Sequence, residues 1–210
     1  MTGHRSLLTA LLAAAAIVWL PHPGAEAAAA ARPGPIEFLK ANDARAKALL
    51  AGAPGDSLPA ALRDSLKREI NRAFDFETLS RLALGDHWAA RTPAERAHFV
   101  ATFSAIIQEQ NFDSFVRYYR EGQIAYQRET VNGDTARVVA VVPLRREQIE
   151  IEYALHVAGD AWQVFDLVVD GVSTAEGNRR RYARYLEKNP YDQLIAQLDK
   201  QLARLREGLP

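Results

Sequence analysis

A chain of 210 residues, 48% of them apolar and with 26 acidic against 26 basic side chains, has the size and balance of a single compact domain. Zero net charge argues against a nucleic-acid binder, because phosphate affinity rests on clustered Lys and Arg and those residues are spread along this chain. Cysteine is absent, which excludes a disulfide framework and a thiol nucleophile and leaves stability to the core.

The first 27 residues read as a leader to be set aside from the fold. His4 and Arg5 precede an apolar run from Leu7 to Leu20, and Pro21, Pro23 and Gly24 lead into Ala25-Glu26-Ala27: a basic start, an apolar core and a small-residue cleavage site. The run is shorter than the roughly 20 residues a membrane-spanning helix needs. Cleavage near Ala28 and export are therefore expected, with residues 28–210 forming one domain.

Helical periodicity dominates the next hundred positions. Ile36, Leu39, Ala46, Leu49 and Leu50 form a weak apolar stripe that Gly52, Pro54 and Gly55 end, and Leu58, Leu62, Leu66, Ile70 and Phe74 recur at every fourth position, as on a helix laid against a core. Asp75 then stands where its carboxylate can accept from the free N–H groups of a short helix carrying Phe76, Leu79 and Leu82, which Gly85 would end. In Thr92-Pro93-Ala94-Glu95, Thr92 caps, Pro93 fits the first helical position and Glu95 can close a capping box. The long helix that follows carries Phe99, Phe103, Ile106 and Ile107, then Phe112, Phe115, Val116 and Tyr119. Gln110 and Asn111 interrupt that stripe, so a kink or a pair of helices is expected.

After Gly122 the period changes from helical to alternating. Residues 123–130, 135–144, 149–157 and 161–170 read as strands, separated by Asn132-Gly133-Asp134, by Pro143 to Gln148 and by Gly159-Asp160, which predicts an antiparallel meander. In the third strand Ile149, Ile151, Tyr153, Leu155 and Val157 share one face and Glu150, Glu152 and His156 the other. The fourth has Phe165, Leu167 and Val169 on one side and Trp162, Val164 and Val168 on the other, so it is expected to be covered on both faces. Gly171 makes a turn, Ser173-Thr174-Ala175-Glu176 has capping-box spacing for a following helix, and Asn189-Pro190 opens a last helix with the stripe Tyr191, Leu194, Ile195, Leu198, Leu202 and Leu205. The fold class is α+β: a curved four-stranded antiparallel sheet packed with helices.

Two aspartates, Asp166 and Asp170, share one face of the fourth strand. Four residues of strand place them roughly 13 Å apart, whereas paired glycosidase carboxylates sit about 5 to 9.5 Å apart, so they are no catalytic pair. Asp166, between Val164 and Val168, needs a hydrogen-bonding partner if it is buried. There is no G-x-S-x-G elbow, no H-E-x-x-H and no glycine-rich phosphate loop. His87, His98 and His156 lack metal-ligand spacing, and Glu150, Glu152 and His156 on one strand face read as a solvated surface before they read as a metal site. The run Arg179-Arg180-Arg181, with Arg184, is the most prominent candidate contact surface, for an acidic partner or an anionic head group.

The stretches FDFETLSRLALGDHW, YALHVAGDAWQVFDLVVDGVS and NPYDQLIAQLDKQL resemble the MlaC, or toluene-tolerance, family of periplasmic phospholipid-binding proteins, and the likeness runs in the same order through nearly all of the chain after the leader. The resemblance implies a modified cystatin or NTF2-like fold whose sheet and helices enclose an apolar cavity for acyl chains, with the head group outside. It implies a monomer with no cofactor, phospholipid as cargo, and shuttling between an outer-membrane lipoprotein complex and an inner-membrane ABC transporter complex. A related branch accompanies hopanoid synthesis, which leaves the lipid class open. Taking the more apolar face of each element places the cavity wall on Phe103, Ile107, Phe115, Val138, Val142, Ile151, Tyr153, Leu155, Phe165 and Leu167, and partner docking falls to Arg179, Arg180 and Arg184. The competing readings are an NTF2-like isomerase or dehydratase using Asp166 with Tyr153 or Tyr126 as donor, and a structural adaptor without a cavity.

Overall fold

The computed structural model describes residues 32–52, 58–121, 123–144 and 147–208, so the leader expected over residues 1–27 lies outside the described residues. Four α-helices come first: α1 (Pro35–Ala51), α2 (Ala60–Asn71), α3 (Phe76–Leu84) and, after a short 3₁₀ turn over Gly85–His87, α4 (Pro93–Glu121). Strands β1 (Ala125–Asn132), β2 (Thr135–Pro143), β3 (Gln148–Ala158), β4 (Ala161–Val169) and β5 (Val172–Ser173) follow, then α5 (Thr174–Leu186) and α6 (Tyr191–Arg206).

The helix starts are set by the caps that the sequence carries. Asp75 Oδ1 accepts from Thr78 N at 2.9 Å. Both halves of the capping box at α4 are made, with Glu95 N donating to Thr92 Oγ1 and Thr92 N donating to Glu95 Oε2. Gly85 ends α3 at φ 58°, a left-handed conformation that glycine adopts without steric cost. The interruption expected at Gln110 and Asn111 is not a break: α4 is one helix of 29 residues. Asn111 is accommodated because its Nδ2 donates to Ile107 O one turn back.

The sheet is an antiparallel meander of five strands in the order β1-β2-β3-β4-β5, rather than the expected four. The fifth follows a two-residue turn in which Asp170 (φ 47°) and Gly171 (φ 81°) both take positive φ, as a type I′ hairpin requires. A second departure is a bulge. Ala154 pairs with Asp166 but Leu155 pairs with Val164, so Phe165 is the extra residue and the faces before it change phase. Trp162 and Val164 therefore join Leu167 in the core, while the half-buried Phe165 sets its ring at a tilt against His156, 5.2 Å between centroids. For the same reason β4 is not the strand buried on both faces; β2 is, continuously from Val138 to Val142.

Phe74, the last residue of the predicted α2 stripe, has left the helix. Residues 73–75 run along β4, with Val164 N donating to Ala73 O at 2.7 Å and Asp75 N to Val164 O at 2.8 Å, which covers part of the edge that β4 leaves open. Apolar burial gathers in three clusters: the inner sheet face with Leu39 and Tyr118; α3, α5 and α6 around Phe99, Phe103 and Tyr182; and α1 and α2 around Phe112, Val116 and Tyr119. α4 contributes to all three and is the spine of the domain.

Candidate functional site

Where α4 passes β3, β4, β5 and the start of α5, the packing leaves a cleft of about 450 Å³, within the usual range of about 300–1,000 Å³ for small-molecule sites. Ile107, Phe115, Tyr118, Ile151, Leu167 and Val169 give it apolar lining, and Gln110, Asn111 and Ser114 on the same face of α4, with Ser173, Thr174, Asn178 and Arg181, give it polar lining; no acidic side chain lines the cleft among the described residues. Val172, 61% exposed, also lines it. Ile107, Asn111, Phe115 and Leu167 also border a small void of about 20 Å³ that continues inward to Phe74, Phe76 and Phe112.

The polar side is fixed by the corner between β4 and α5. Asp166, the acid that sequence reasoning singled out, accepts from Ser173 Oγ at 2.6 Å and from Ala175 N at 2.9 Å. Ser173 in turn accepts from Glu176 N at 3.0 Å, the half of the expected capping box that is made. Asp170 is engaged elsewhere, accepting from Glu150 N at 3.1 Å. These bonds tie the first turn of α5 to β4 and leave Asp166 as a frame residue.

The ten residues predicted for the wall fall into three groups. Ile107, Phe115, Ile151 and Leu167 line the cleft. Val138, Val142, Tyr153 and Leu155 lie behind it in the close-packed core of the same sheet face. Phe103 sits in the helical cluster, its ring stacked on Phe99 at 5.5 Å and edge-on to Tyr182 at 6.1 Å, and Phe165 is turned to His156 by the bulge.

The structure does not assemble the donor and acid of the enzyme reading. Tyr126 and Tyr119 both donate to Asp43, at 2.6 Å and 3.0 Å, and Tyr153 lies beside Tyr126 with 6.2 Å between ring centroids. Asp43 was not singled out from sequence. Burial raises its carboxyl above the ordinary range and outweighs the two tyrosine hydrogen bonds and the attraction of Lys47, while burial raises the Tyr119, Tyr126 and Tyr153 hydroxyls well above theirs.

The arginines of α5 divide by partner. Glu176 holds Arg179 at 2.7 Å and Arg180 at 3.7 Å, and the stem of Arg179 lies over Gly85, where an added Cβ would meet its Cγ at 3.0 Å. Arg184 is exposed. Arg181 reaches the cleft, its Nη2 donating to Asn178 Oδ1 at 2.7 Å and to the Tyr182 hydroxyl at 3.0 Å. The acids and histidine of the β3 outer face do not converge: Glu152 pairs with Arg137, and His156 Nε2 lies 2.9 Å from Asp75 Oδ2 without the alignment of a hydrogen bond. Burial alone would raise the Asp75 carboxyl, but the bonds from Thr78 and the nearby imidazole outweigh it and hold it below its ordinary range. A second groove, of about 570 Å³, runs between α3 and α4 past Glu77, Arg81, Trp88, Arg96 and Val100.

Among the described residues no helix is long and apolar enough to cross a membrane. A family model, described as MlaC protein, matches residues 43–200. Among solved structures, a phospholipid-binding protein from Ralstonia solanacearum, in complex with a phospholipid, matches with a TM-score of 0.71 at 20% sequence identity; the match covers 81% of this chain and 97% of that one.

Proposed function

The chain belongs to the MlaC family, and on that premise we propose that it carries phospholipid, with acyl chain against the apolar side of the α4 cleft and head group toward the polar side. The observation that supports this most directly is the mixed lining of the cleft, apolar from Ile107, Phe115, Ile151 and Leu167 and polar from Ser173, Thr174, Asn178 and Arg181. An amphipathic ligand satisfies both halves; a wholly polar one leaves the aliphatic side wet. Ile107, Asn111, Phe115 and Leu167 border both the cleft and the small void, so in this reading an acyl chain that displaces Phe115 and Leu167 extends into the void. A bound phospholipid in a protein of the same fold supports the same reading. The enzyme alternative is weakened because Asp166, Tyr126 and Tyr153 are committed at two separate places.

In this role the protein works in the periplasm after loss of its leader, and moves lipid between an outer-membrane complex and an inner-membrane ABC transporter complex. Purified protein extracted with organic solvent then yields diacyl lipid at near one mole per mole of folded protein. Phe115→Asp buries an unpaired charge between cleft and void and yields much less lipid per mole of folded protein. Wild type that carries no lipid, or folded Phe115→Asp that carries as much, contradicts the proposal.

A further inference from the structure

Within the cleft the only charged side chain among the described residues is Arg181. Ser173 and Asn178 beside it have hydrogen bonds to make elsewhere. Ser173 gives its proton to Asp166 and accepts from Glu176 N, and Asn178 donates to Thr174 O while its Oδ1 accepts from Arg181. The first free N–H groups of α5 are likewise taken, by Asp166 and Ser173. Asn178 and the Tyr182 hydroxyl both hold Nη2 of Arg181, and its guanidinium lies 5.0 Å from the Tyr182 ring centroid. No hydrogen bond to Nε or Nη1 is made among the described residues. Nη2 belongs to both two-nitrogen edges of the guanidinium, so what is left are the Nε and Nη1 N–H groups on different edges, each able to donate one charge-assisted hydrogen bond to a phosphate or carboxylate oxygen.

The neighbouring acids are engaged elsewhere and leave these donors unopposed. Glu176 is engaged with Arg179 and Arg180, and both oxygens of Asp166 accept bonds from the α5 start. We propose that Arg181 is the head-group residue of this carrier, holding the phosphodiester of the lipid at the rim of the cleft, with Asn178 and Tyr182 as positioning residues. The inference deepens the carrier reading and rests on it. It makes the phosphate, and not the chains alone, a determinant of which lipid is taken.

The test compares two lipids with identical acyl chains, phosphatidylglycerol and diacylglycerol, offered in equal amounts in mixed micelles to the purified protein, with bound lipid read by native mass spectrometry. A charge-assisted hydrogen bond at a half-open rim corresponds to about tenfold discrimination. Wild type therefore binds phosphatidylglycerol over diacylglycerol by about that factor. Arg181→Gln brings the ratio close to one, its folded state checked by an unchanged circular-dichroism spectrum and thermal melt, and Arg181→Lys falls between. Inorganic phosphate at millimolar concentration neither displaces the lipid nor changes the ratio. Equal binding of the two lipids by wild type, or an unchanged ratio in Arg181→Gln, overturns the inference and leaves the carrier reading standing. Displacement by inorganic phosphate overturns it in favour of a free-phosphate site, and failure of wild type to bind either lipid overturns both readings.

Discussion

Asp43 shows what a single side chain contributes to this fold and why local sequence patterns passed it by. It sits on α1 in an ordinary helical stretch, and its partners, Tyr119 and Tyr126, lie 76 and 83 positions away; no window of periodicity reaches that far. The carboxylate ties α1 to the end of α4 and to β1. Its folded-state pKa is raised by burial, so its ionisation opposes folding: the stability it contributes is fully present below the unfolded value near 3.8 and is lost as pH rises through the raised folded value. Asp43→Asn is expected to remove that loss, so its melting temperature gains on wild type as pH rises above about 4. Asp43→Ala strips both hydroxyls of their acceptor and is expected to cost about 1–3 kcal/mol in urea unfolding. A stability gap between Asp43→Asn and wild type that does not change with pH would sink this account. Asp75, lowered by its bonds to Thr78 and by His156, runs the other way: its contribution is present above about pH 4 and is lost on acidification.

At the scale of single elements, α5 joins scaffold and surface. Its start is anchored through Asp166 and Ser173, and its arginines do different work according to what they touch. Exposed charges contribute little to stability, so Arg180→Glu and Arg184→Glu should leave the melting temperature near that of wild type. Arg179→Glu should lower it, because the stem over Gly85 and the bond to Glu176 are both lost. If the exposed arginines serve docking, the double reversal of Arg180 and Arg184 weakens pull-down of the membrane complex at low salt; full retention removes the patch from consideration. The caps at Asp75, Thr92 and Ser173 and the meander were legible because they are local. The bulge at Phe165 was not, because alternation is read within one strand and a bulge exists only against a partner strand. β5 did have a signal, the Asp170-Gly171 pair between valines, in which only the turn was recognised.

For the whole domain, α4 decides where a ligand can sit, since it packs into three apolar clusters and borders both the cleft beside the sheet and α5 and the groove beside α3. Four of the residues that periodicity put on apolar faces, Ile107, Phe115, Ile151 and Leu167, line the cleft. The polar half was misread for a physical reason, because Gln110 and Asn111 break the apolar stripe not to bend the helix but to line the cleft. Phe103 was misplaced because a helix this long turns successive parts of one stripe toward different neighbours. The central claim is that lipid chains occupy this cleft and not the larger groove beside Trp88, and a phospholipid with a photoreactive diazirine near the end of one acyl chain tests it. After illumination and residue-level mass spectrometry, label on Ile107, Phe115, Ile151 or Leu167 is the expected result. Label confined to Trp88, Ala97 and Val100 of the second groove would contradict the account.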